Sequence, residues 1–155
     1  MNEKKDVKQL KERLEQLETE YLQAVLDSTA SNPLKGRGAL RAVKIVFKKN
    51  GILLDDDNIN YASKNTTVSV YWVNPQFDVL TKKWHLVLND WIKRQLHLLI
   101  IPANSITKEE LIHRKSPTQP GKYVINIGIK YNDPSFTDHF SGYQFSQYLN
   151  ATVDY

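Results

Sequence analysis

The sequence predicts an α+β fold, and three observations carry that prediction. An N-terminal stretch repeats apolar residues at helical spacing, a central stretch holds three β-branched and aromatic runs, and turn-forming residues separate the segments. With 155 residues, 41% hydrophobic and 25% charged, the chain has an ordinary globular composition. It is long enough to bury a core as one domain, residues 1–28 forming a long helix and residues 37–155 the main body.

Val7, Leu10, Leu14, Leu17, Tyr21 and Ala24 recur at alternating steps of three and four among lysines and glutamates. This predicts an amphipathic helix from Glu3 to about Ser28. The stripe lasts about three heptads, so it can pack within the chain or form a homodimer through residues 7–24. Residues 28–33, rich in Ser, Asn and Pro, end it. A second helix over residues 38–49 puts Leu40, Val43 and Phe47 on one side, and Asn50-Gly51 supplies its stop.

Residues 68–73, 84–89 and 95–101 are predicted strands. The short link 90–94 makes the last two an antiparallel hairpin, and the three together a meander. Thr107-Lys108-Glu109-Glu110 reads as a capping box that opens a short helix ending in His113, Arg114 and Lys115. Pro120-Gly121 turns the chain into a strand over residues 123–130, with Tyr123, Ile125, Ile127 and Ile129 on one face. A second capping box, Ser141-Gly142-Tyr143-Gln144, predicts a C-terminal helix carrying Phe145, Tyr148 and Leu149 inward.

The absence of cysteine excludes disulfides, thiolate nucleophiles and Cys-built zinc sites, and fits a reducing compartment. The first residues are charged throughout and lack the apolar core of a signal peptide, and no run reaches the length of a membrane span. A cytoplasmic location without membrane partners is the expectation.

The net charge of +4 is modest but uneven, and no acidic residue occurs between Ser28 and Leu54. Arg37, Arg41, Lys44 and Lys48 follow steps of four, three and four along one helical face. With Lys35 just before them, in Lys35-Gly36-Arg37-Gly38, they offer long cationic side chains and backbone amides near a helix start, as a phosphate backbone requires. The plainer reading is a solvated face balanced by the acids at residues 55–57 or in the first helix. A second group, Lys82, Lys83, Lys93 and Arg94, flanks the hairpin near Trp72, Trp84 and Trp91. Rings beside cations suit single-stranded nucleic acid. Trp84, at a strand start, is expected in the core, and Trp91, in a polar turn, is the ring expected to be exposed.

Nothing predicts catalysis, a metal or a cofactor. A calcium loop starting at Asp56 would need Gly and Glu where Tyr61 and Thr67 stand. The four histidines lack metal-ligand spacing, and only His85 and His97 could meet across the hairpin. Nucleophile-elbow, P-loop and dinucleotide glycine patterns are missing.

Over roughly residues 37–130, the order of helix, meander, helix and strand resembles the common core of restriction-endonuclease-like nucleases. That resemblance implies an acid near one strand's end and an acid-x-Lys pair on the next, holding magnesium and steadying the attacking water. The matching strands, Val68-Ser69-Val70-Tyr71-Trp72 and Leu96-His97-Leu98-Leu99-Ile100, contain neither, so the likeness is one of element order. The expected function is therefore a non-catalytic nucleic-acid-binding domain, most simply for DNA, with a place in a DNA-processing or defence system. Two other readings stand beside it: an assembly module dimerising through the first helix, and a metal-dependent nuclease with a degenerate or rearranged site.

Overall fold

The computed structural model describes residues 3–54 and 57–155, with Arg37 described by its backbone alone. The chain is α+β: two N-terminal helices are followed by a seven-stranded mixed sheet. It divides after Leu54 into two compact units.

The N-terminal unit opens with α1, Glu3–Leu26, whose first turn carries Glu3 and Asp6 where the helix dipole favours negative charge. Only Leu22 of this helix is buried. A single 3₁₀ turn, Arg37–Ala39, leads into α2, Leu40–Lys49, which buries Ala42, Val43, Ile45, Val46 and Phe47. The stop read from Asn50-Gly51 is a Schellman turn. Gly51 takes φ +79°, its N–H donates to Lys48 O at 3.0 Å, and Ile52 N–H donates to Phe47 O at 2.9 Å.

The C-terminal unit contains β1 (Ile59–Asn65), β2 (Val70–Val73), β3 (Trp84–Asp90), β4 (Gln95–Ile101), β5 (Ile112–Lys115), β6 (Tyr123–Lys130) and β7 (Leu149–Asp154), in the order β5-β6-β2-β1-β3-β4-β7. β1 and β3 run parallel, and every other pairing is antiparallel. The predicted hairpin is β3–β4, in register from Trp84↔Ile101 to Asp90↔Gln95. β3 is buried at all seven positions, as suits a strand paired on both edges. One sheet face carries Tyr71, Trp84, Leu86, Leu88, Leu99 and Ile127, closed over by Val79, Leu80, Ile106, Leu111 and Phe145 from the connecting segments.

Three expectations are corrected. The meander is broken, because β1, whose polar sequence gave no strand signal, lies between β2 and β3. The box at Thr107 does form, but it closes a single 3₁₀ turn, Lys108–Glu110, after which the chain extends as β5. The order of helix, meander, helix and strand that resembled restriction-endonuclease-like nucleases is thus not the one present. Among the described residues there is no C-terminal helix either. Ser141 donates both its N–H and its hydroxyl to the buried Asp138 carboxylate, so it caps no helix. After one 3₁₀ turn, Ser146–Tyr148, the chain becomes β7 and pairs with β4. Among the described residues no helix is long and apolar enough to cross a membrane.

Candidate nucleic-acid interface

In the N-terminal unit, Arg41, Lys44 and Lys48 line one groove, as their spacing predicts, together with Leu14 and Glu18 of α1. The groove is not purely cationic. Lys48 Nζ lies 2.7 Å from Glu18 Oε1, and the Arg41 guanidinium sits 4.6 Å from the centre of the Tyr21 ring. Lys49, outside the predicted stripe, donates to Thr19 Oγ1 at 2.6 Å. Lys35 is exposed and Lys44 half-buried. The Arg37 side chain lies outside the described residues, as do Asp55 and Asp56, two of the acids expected to balance the stripe. One of the four stripe cations therefore already holds a carboxylate of α1.

The second predicted group does not form one patch. Lys82 and Lys83 are exposed just before β3, whereas Lys93 and Arg94 lie in the turn after it, roughly 20 Å away along a strand at about 3.3 Å per residue. Lys93 Nζ donates to Asn132 Oδ1 at 3.0 Å. Arg94 takes φ +55° and lies 5.7 Å from the Tyr155 ring. Trp91 is half-buried, and its indole N–H donates to Lys64 O at 3.0 Å, so this ring is anchored in the turn. Trp84 is in the core as predicted, its N–H on Asn60 Oδ1 at 2.8 Å.

The best-formed cationic and aromatic surface includes His113, Arg114 and Lys115, which the capping box at Thr107 had assigned to a helix. All four residues of β5 are exposed, and the strand ends the sheet. Its register with β6, His113↔Ile125 and Lys115↔Tyr123, puts the His113 and Tyr123 side chains on one face. There Phe77 joins them. Phe77 stacks on Tyr123 at 5.8 Å and 14°, and meets His113 edge-on at 5.0 Å. Arg114, Lys115 and Lys122 neighbour His113 and Tyr123 in sequence, Lys115 on their face by register and Arg114 on the other. No acid occurs between Ile112 and Lys130, and Asp78 follows Phe77. The signal was available: this window lacks acids just as the one containing α2 does.

Near the β3–β4 turn lies a buried polar network. The Asp90 carboxylate, 2% exposed, accepts from Lys93 N–H at 3.1 Å and from the Tyr131 hydroxyl at 3.2 Å. Burial first, and Asp90 second, push the phenols of Tyr71 and Tyr131 above their ordinary value. The Tyr155 phenol, donating to Asn89 Oδ1 at 2.7 Å, is pushed up to about 12, mainly by burial. Protonated phenols tie the turn and the chain end together but offer no activated nucleophile. His85 and His97 do not meet. His97 pairs with Leu88, so His85, three residues earlier, projects to the opposite face. Among the described residues no three His, Asp or Glu side chains come together as a metal site would need.

No protein-family model, curated protein or solved structure matches the chain significantly.

Proposed function

We propose that the chain binds nucleic acid without catalysing a reaction on it, with the β5–β6 edge as the leading contact. The carrying observation is the trio of Phe77, His113 and Tyr123, with Lys115 on the same face of the edge by register and Arg114 and Lys122 as sequence neighbours, in a segment without acids from Ile112 to Lys130. Cations hold phosphates while exposed rings stack bases, which suits an unpaired strand better than a duplex. Lys35, Arg41 and Lys44 of the N-terminal unit add a second positive surface, weakened by the Glu18 carboxylate at Lys48.

Fluorescence anisotropy with a labelled single-stranded oligonucleotide, titrated at several salt concentrations, tests this. Affinity should fall steeply with salt. The Arg114→Glu/Lys115→Glu pair should weaken binding at least about tenfold and flatten the salt dependence, by roughly 0.7 in log–log slope for each phosphate that is no longer neutralised. Tyr123→Ala should cost about 1–3 kcal/mol, as expected when one base has no ring to stack on. Arg41→Glu/Lys44→Glu should have the smaller effect. No binding at low salt, or binding indifferent to the β5 pair, would overturn the proposal.

A further inference from the structure

Residues 3–17 of α1, fifteen in all, are exposed on every side. They include Val7, Leu10, Leu14 and Leu17, exposed by 48, 70, 52 and 45%. Helices shorter than about 12–15 residues are marginal in water on their own, so a stretch of this length with an uncovered apolar stripe calls for a partner. The stripe is a heptad seam, with Val7 and Leu14 at position a and Leu10 and Leu17 at d. Val7 at a with leucine at d is the combination that favours two parallel strands, while Leu14, the other a residue, is not β-branched and adds burial without that preference.

We infer that α1 pairs in parallel and in register with α1 of a second copy of the chain. The flanking charges fit that arrangement. Position g of one helix meets position e of the next heptad on the other, which sets Asp6 against Lys11 and Arg13 against Glu18, each twice by symmetry. Glu18 Oε1 is held by Lys48, which fixes this carboxylate beside the seam. An antiparallel pairing over residues 7–17 would instead set Lys11 against Lys11, Arg13 against Arg13 and Asp6 against Glu20, with Lys4 against Glu18 as its attractive pair. Shifting the antiparallel overlap towards the helix end would use Tyr21 and Leu22, which are occupied: Tyr21 lies under Arg41, and Leu22 is buried. The polar face carries six acids and five bases between Glu3 and Leu26, a balance that does not suit an anionic membrane.

Light scattering across a concentration series should give twice the mass of the chain. Leu10→Lys/Leu14→Lys should halve that mass with the circular dichroism of the rest of the chain retained, because both side chains are exposed. Orientation is read with Glu3→Cys, one heptad before Leu10 and the sole thiol in a chain without cysteine. Oxidation should cross-link the parallel pair, whose facing Cα atoms lie within disulfide range. In the antiparallel pair the two thiols would sit about 27 Å apart, at 1.5 Å per residue. A single-chain mass at every concentration, a dimer indifferent to the double substitution, or a dimer that fails to cross-link would each overturn the inference.

Discussion

His97 stands on β4 opposite Leu88, its Nδ1 2.8 Å from Thr152 Oγ1 and its ring edge-on to Phe136 at 5.5 Å. Burial lowers its pKa below the ordinary 6.5; Asp90 opposes this and Lys93 adds to it. The unfolded chain then binds a proton that the folded chain resists, so His97 favours the folded state fully above pH 6.5 and progressively less as pH falls towards the lowered value. Urea midpoints at about pH 8 and about pH 5 should differ less in His97→Gln than in the parent, over a range where most carboxylates stay ionised. Equal differences would assign the pH dependence to other groups. At this scale residue types were legible in the sequence but their partners were not. The spacing of Arg41, Lys44 and Lys48 was right, yet Glu18, which holds Lys48, lies 30 residues earlier, beyond any window drawn around α2. Trp91 likewise looked free in a polar turn, but its N–H finds the Lys64 carbonyl on another strand.

Elements with strong patterns were legible. β4 and β6 run over the residues predicted for them, β3 extends one residue beyond, and α2 stops at Asn50-Gly51. The strands that were missed share a physical reason, because their residues do not bury. Only Ala62 is buried in β1, only Val153 in β7 and none in β5. β1 and β5 lack a sustained hydrophobic alternation, the signal on which strand prediction rests. β7 does alternate Leu149, Ala151 and Val153 with polar residues, but over six residues that follow the box at Ser141, whose pattern predicts a helix start. The capping boxes misled because a box specifies one turn, while a helix needs the turns after it. β2 and β6 also carry a steric constraint that no pattern announces. A Cβ added at Gly128 would lie 2.8 Å from Trp72 Cζ3 and 3.4 Å from Phe140 Cε2, and these two rings pack at 5.6 Å. Gly128→Ala should destabilise the fold by about 1–3 kcal/mol, read as a lower urea midpoint and a shifted tryptophan emission. An unchanged midpoint would mean that the ring moves aside freely.

For the whole molecule, the α+β class was legible and the strand order was not. β1 and β2 are neighbours in sequence and pair, but β3 then returns to the far side of β1 and runs parallel to it, a choice made by long-range packing, not by local turn chemistry. β3 therefore lies between two partners, with every side chain out of solvent. Its amide protons can exchange only when the sheet opens as a unit. In deuterated buffer they should persist longest, while amides on residues 3–17 should be replaced early in dilute solution and later as the protein is concentrated. The clock set by the slowest protons would report the global stability of the sheet, and the concentration dependence of the early ones would report whether α1 has found its second copy.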